Sequence, residues 1–300
     1  MSLASEERAV RPPGELRGAL IVARFSLRES LRRRVFVVIG LLTVLFLALY
    51  GLATWQAFEA SDEFGTAGEA GVDAETVVGA TLAGLSMFAI LFLGTILAVF
   101  LTLGAVRGDA ERGLVQPLLV RPLPRRTLLL GRWLGATAVC APYVMVVALA
   151  AFGLTAALGD WWPDRTLTPL LSLALGVSIV AALSLAGSIV LASTANGIGI
   201  FMLFGAGLTA GLLGQIAEAL NSDTLGDVAQ VTTWALPFEA LYQAGLADLT
   251  VDTVGWSRLA IDLGPFGGAQ AGGAGLWLFS IAYLATVGAV AVAAFARRDL

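Results

Sequence analysis

The chain has 300 residues, of which 58% are hydrophobic and only 13% charged, with a mean hydropathy of +0.85 and a net charge of −4. A water-soluble globular protein is about 25% charged and under half apolar, so this composition excludes that class. Histidine and lysine are lacking and Cys140 is the single cysteine, which removes the commonest general base, the lysine of a phosphate-binding loop, and any disulfide or thiolate-pair metal site.

Residues 1–13 are polar, end in Arg11-Pro12-Pro13 and read as a loose tail. Over 15–34, Leu16, Leu20, Ala23, Leu27 and Leu31 recur at three- and four-residue spacing, while Arg17, Arg24, Arg28 and Arg32 fall on a neighbouring face. The spacing predicts an amphipathic interfacial helix, leucines toward lipid and arginines toward phosphates; a bare positive topology signal is the plainer alternative. The first apolar run starts only at Val35, after this basic segment, so no cleavable signal peptide is expected.

Five stretches carry no charge: 35–58, 76–106, 133–159, 166–217 and 263–296. A helical crossing needs roughly 20 apolar residues, and lipid offers no partner for the free backbone groups of an open strand. The run at 166–217 is long enough for two crossings, with STANG at 193–197 as the turn. The expected fold is therefore an all-α integral membrane protein, a single unit over 1–300. Its six spans are placed at about 35–54, 78–106, 133–158, 167–192, 196–217 and 276–296.

Between spans 1 and 2, Glu59, Asp62, Glu63, Glu69, Asp73 and Glu75 lack the alternating spacing of a calcium loop and read as a solvated connection. Pro142 predicts a kink in span 3, and Trp161 and Trp162 suit the headgroup level at the next turn. Ser184, Ser188 and Ala192 repeat every four residues, as do Gly207 and Gly211, a spacing that lets helices approach closely within a bundle or between subunits. With no strand before them, Gly205, Gly207 and Gly211 do not form a nucleotide loop. Within the long 218–274 connection, LPFEALYQAGLADL at 236–249 predicts a short external helix, with Pro237 in its first turn and Glu239 at the positive end of its dipole. Such a helix either dips into the outer leaflet or lies on the membrane.

Sixteen of the 18 arginines fall in the N-terminal segment, the 107–132 loop and the C-terminus, whereas the other three connections hold 15 of the 22 acids. The positive-inside rule then puts both termini and the 107–132 loop in the cytosol of a cell-membrane protein. No Asp, Glu, Lys, Arg or His falls inside a predicted span, which argues against ion-coupled carriers and pumps with internal relays. Ser178, Ser184, Ser188 and Asn196 are the polar residues an intramembrane enzyme would have to use, and isolated membrane serines bond instead to the preceding turn. Uphill transport would need energy from a separate chain. The loop RGDAERGLVQPLLVRPLPRRTLLLGR at 107–132, interrupted by Pro117, Pro122 and Pro124, is the surface to receive it.

Residues 110–135, AERGLVQPLLVRPLPRRTLLLGRWLG, resemble the first cytosolic loop of type-2 ABC transporter permeases: an acid, a glycine, a leucine pair, a proline–arginine elbow, a leucine run and a further glycine. Six spans, the basic N-terminal helix, the LPFEALY segment and the FARRDL ending extend the resemblance over nearly the whole chain. It implies the permease subunit of an ATP-driven exporter, working as a homodimer or heterodimer with two copies of an ATPase subunit. ATP and Mg then belong to the ATPase, and this chain carries no cofactor, metal or catalytic residue. Membrane lipid is an expected partner and nucleic acid is not. In that family the loop forms a coupling helix docked on the ATPase. By position, Asp109, Glu111, Arg112, Gly113 and Leu114 start it, Leu118 and Leu119 pack, and Pro122, Pro124, Arg125 and Arg126 form the elbow into span 3. Leu114 stands where threonine is usual. Pro117 interrupts at a cost of about 3 kcal/mol in a helix interior, implying a shorter helix near 108–116. A non-transporting membrane scaffold is the alternative class.

Overall fold

A computed structural model describes residues 18–24, 35–63, 73–103, 125–220, 222–255, 257, 261 and 271–297. Among the described residues the regular structure is helical: α1 (Val35–Glu63), α2 (Ala74–Thr102), α3 (Arg125–Gly159), α4 (Leu167–Val190), α5 (Ser193–Leu220), α6 (Asp223–Ala235), α7 (Pro237–Leu249) and α8 (Ala274–Ala296). Six of these, α1 to α5 and α8, are long and apolar enough to cross a membrane. α6 and α7, at 13 residues each, fall short of the roughly 20 a crossing needs.

The helices outrun the apolar stretches, because backbone hydrogen bonding does not stop where the lipid does. α1 continues through Glu59 to Glu63, and α3 starts at Arg125, eight residues before the charge-free run. Asp73, grouped with the loop acids in the sequence reading, caps α2: its carboxylate accepts from Thr76 N at 3.4 Å. Pro142 lies inside α3, which continues through it as one helix.

One expected turn is displaced. The break between the fourth and fifth spans falls at Leu191 and Ala192, with Leu191 extended at φ −95 and ψ 150, and 193–197 are already helical. Asn196 is not used as a turn former. Its Nδ2 donates 2.9 Å to Ser184 O, bracing the start of α5 against α4. α6 has no counterpart among the predicted elements; it lies within the long 218–274 connection, and Ala229 is its buried residue.

α4 and α2 form the centre, with 72% and 61% of their apolar windows buried, whereas α1 and α8 are peripheral at 11% and 17%. Lipid is as apolar as leucine, so helices associate here through close van der Waals fit and small residues. Gly94 of α2 shows the fit: a Cβ there would lie 2.5 Å from Val144 Cγ1 of α3 and 2.8 Å from Val177 Cγ2 of α4. α1 turns Val37, Leu41, Val44 and Leu49 outward and is held to α3 by Tyr50 OH with Thr155 Oγ1 and Thr43 Oγ1 with Tyr143 OH, both at 2.6 Å.

The 236–249 helix forms as expected and packs into the bundle. α7 buries Phe238, Leu241, Tyr242, Ala244 and Leu249 against the bundle. Tyr242 OH donates to Gly84 O of α2 at 3.4 Å, and a Cβ at Gly245 would lie 3.3 Å from Pro169 Cα of α4. Of the predicted N-terminal helix, residues 18–24 are described and helical; Ala19 and Val22 lie against Gly131 of α3, while Leu20 and Ile21 are exposed. The rest of 15–34 lies outside the described residues.

Replacing Gly94 by leucine should overpack three helices at once and lower stability by about 1–3 kcal/mol. The same change at Gly153, with nothing within 4 Å of its Cβ position, should be near neutral. Thermal unfolding of both variants in detergent checks this; equal midpoints would refute the packing at Gly94.

Candidate functional site

The chain offers two places where function could reside, one at the arginine-rich end of the bundle and one at the acidic end. At the arginine end, Asp109, Glu111, Arg112, Gly113, Leu114, Leu118 and Leu119, with Pro117, Pro122 and Pro124, lie outside the described residues. The two seats of that loop are described. Where α2 ends, Thr102 is buried with its Oγ1 2.7 Å from both Ala98 O and Ser184 Oγ, so α2 and α4 meet through paired hydroxyls. Leu103 covers Gly197 of α5, where a Cβ would come within 2.9 Å of Leu103 Cδ1.

Where α3 begins, Arg125 is its first residue and Arg126 is exposed. Thr127 and Leu129 turn inward, and Leu129 joins Leu185 and Ile189 of α4 and Ala291 and Phe295 of α8 in a separate buried cluster. One turn further on, Trp133 Nε1 donates to Ser178 O at 3.1 Å. The opening turns of α3 are thus gripped by α4, α8 and residues 18–24.

The polar residues weighed for enzyme chemistry brace helices. Ser178 Oγ donates to Ala174 O at 2.6 Å and Ser188 Oγ to Leu185 O at 2.7 Å, both back-bonds to the preceding turn. Ser184 and Asn196 are taken up in the contacts among α2, α4 and α5.

At the acidic end, Glu239 is 2% exposed on α7. Its Oε1 accepts from Gln243 Nε2 at 3.0 Å, whereas Glu239 Oε2 and Gln243 Oε1 make no hydrogen bond among the described residues. Gly211 of α5 faces the carboxylate so closely that a Cβ would overlap Glu239 Oε1. One turn earlier Gly207 makes room for Phe238, which stacks on Phe204 with centroids 5.7 Å apart and rings 9° from parallel. Burial pushes the Glu239 carboxyl up to about 7, opposed by the Gln243 hydrogen bond. A cavity of about 890 Å³ opens beside it among α5, α6, α7 and α8.

Sequence reading noticed Gly207, Gly211 and Glu239 but not that they meet. Spacing alone does not show the meeting: Glu239 and Gln243, four apart on α7, both lie against Gly211, while Gly207 one turn earlier takes Phe238 and Leu236.

The raised carboxyl ties stability to pH. In the unfolded chain Glu239 ionises near 4.5, in the folded one near 7, so its stabilising contribution is complete below 4.5 and is lost as pH rises through about 7. The loss is on the order of 3 kcal/mol. Glu239→Gln should therefore flatten the fall in melting temperature between about pH 5 and about pH 8. An unchanged slope would show that this carboxyl is not perturbed.

Comparison with curated proteins gives no match. The family profile described as ABC-2 family transporter protein matches residues 20–300, a span that takes in all eight helices, the 107–132 loop and the LPFEALY segment. The chain belongs to the ABC-2 transporter family, as the multi-pass permease component of an ATP-binding-cassette transporter.

Proposed function

We propose that this permease is the membrane half of an exporter, driven through its arginine-rich loop by a separate ATPase subunit. Two such ATPases act on a permease dimer, with ATP and Mg held by the ATPase and none of the hydrolytic chemistry in this chain. Both termini and residues 107–132 face the cytosol, as the arginine distribution favours. Asp109, Glu111, Arg112, Gly113, Leu114 and Leu118 make the docking surface, and Arg125 and Arg126 carry its displacement into α3.

The observation that carries this reading is the seat of Leu129 among Leu185, Ile189, Ala291 and Phe295. Because this cluster is tightly packed, a push on the start of α3 is delivered to α4 and α8 rather than absorbed locally. The other end of the loop reaches α2, whose Thr102 is paired with Ser184 of α4. Both arms of the loop therefore converge on the central helix.

Replacing Glu111 and Arg112 together by alanine should leave membrane insertion intact and weaken ATPase docking roughly tenfold, within the range of a site-to-site coupling energy. The measurement is titration of the nanodisc-embedded permease with its co-purifying ATPase. Unchanged affinity would remove residues 107–126 from the docking surface.

A further inference from the structure

Acceptors dominate the floor of the acidic-end cavity. There Glu239 Oε2 and Gln243 Oε1 are buried with no hydrogen-bond partner among the described residues and Gln243 Nε2 is committed to Glu239 Oε1, while Ser222, Gln230 and Thr233 also line the cavity. Asp223 and Asp227 line the cavity from α6 and are exposed, so they stand toward its rim. No arginine is among the described lining residues. An apolar wall completes the site: Trp234 of α6 and Phe279 of α8 meet edge to face, centroids 4.5 Å apart and planes at 80°. A volume of about 890 Å³ falls within the range of small-molecule sites.

These features define the occupant. Buried acceptors without a partner call for a ligand that donates hydrogen bonds, and carboxylates with no arginine among the described lining residues call for positive charge. Aromatic faces add cation–π attraction and cover for an apolar body. A bare divalent ion fits poorly, since it needs six or more converging oxygens and would have one carboxylate at the floor.

We propose that the cavity among α5, α6, α7 and α8 binds a protonated amine with an apolar body. Its ammonium donates to Glu239 Oε2 and Gln243 Oε1, and its body lies against Trp234 and Phe279. The assignment rests on the transporter reading only for its role, which is recognition of an amphiphilic cationic cargo. Gly211 is part of the design: a side chain there would displace the carboxylate that receives the ammonium. The titratable groups around Glu239 are Tyr242 on its own helix and Asp223 and Asp227 from α6, with none from α5 or α8 among the described lining residues. Amine binding weakens as pH falls through about 7, where Glu239 takes up its proton.

The test uses the full chain with its ATPase subunit in lipid nanodiscs, titrated with 1-naphthylmethylamine and with 1-naphthylmethanol, its neutral counterpart. Saturable binding of the amine, roughly tenfold tighter than the alcohol, supports the assignment, since tenfold is a single well-made charged contact. Glu239→Gln and Gly211→Ala should each remove that preference, while Gly199→Ala, with open space at its Cβ position, should keep it. Equal binding of amine and alcohol overturns the assignment, as does a full preference in Gly211→Ala. If Glu239→Gln fails to assemble, the amine–alcohol comparison on the unmodified protein and the Gly211 variant still decide. ATPase docking is read in the same samples. In the unmodified protein, absent amine selectivity with intact docking sinks the cavity assignment alone, whereas absent docking bears on the transporter reading.

Discussion

Helix α7 can enter the bundle only because Gly207, Gly211 and Gly245 remove the side chains that would otherwise hold it away from α5, α2 and α4. At Gly207 the space is taken by the Phe238 ring, at Gly211 by the Glu239 carboxylate, and at Gly245 by Met87 and the Pro169 backbone. In lipid this fit matters more than in water, because burying leucine against leucine gains little over burying it against an acyl chain. The stacked Phe204 and Phe238 and the Tyr242 bond to Gly84 are consequences of that approach. The cavity lies on the same side, walled by α5, α6, α7 and α8.

The two ends of the bundle are joined by α4. Near its beginning Pro169 and Ser172 meet Gly245 of α7; near its end Leu185 and Ile189 hold Leu129 of α3, and Ser184 meets Thr102 of α2. It is also the most buried span, and its residues Val177, Ile179 and Ala181 have no exposure at all. α4 is thus in packing contact with both ends of the bundle.

Much of this architecture was legible in the residues. Charge-free runs gave the six spans because the bilayer tolerates few alternatives to an apolar helix. Pro237 marked the start of α7 because proline's fixed φ suits the first helical position. What could not be read was three-dimensional. The STANG segment looked like a turn by composition, yet the tertiary bond from Asn196 to Ser184 outweighs local preference. α6 carries Val228, Val231 and Trp234 at three-residue spacing on an exposed face, and its 13 residues are too short to register as a charge-free span. Glu239 reads from sequence as an acid at the positive end of a helix dipole, and nothing in its neighbours along the chain says that Gly211 lies beneath it. For the arginine loop, sequence and family speak to residues that lie outside the described structure, and only its two seats are seen.

The late position of α7 in the chain has a consequence for how the protein is made. A ribosome delivers α2, α4 and α5 to the membrane before residues 237–249 exist, so Gly84, Pro169 and Phe204 must wait beside lipid or the insertion machinery for their eventual neighbours. Domains generally form as units during synthesis, and this one cannot close from its amino end forward. Its final assembly is therefore a post-insertion event. A message broken before codon 237 would yield five inserted helices with an unsealed seam, the kind of product that membrane quality control removes.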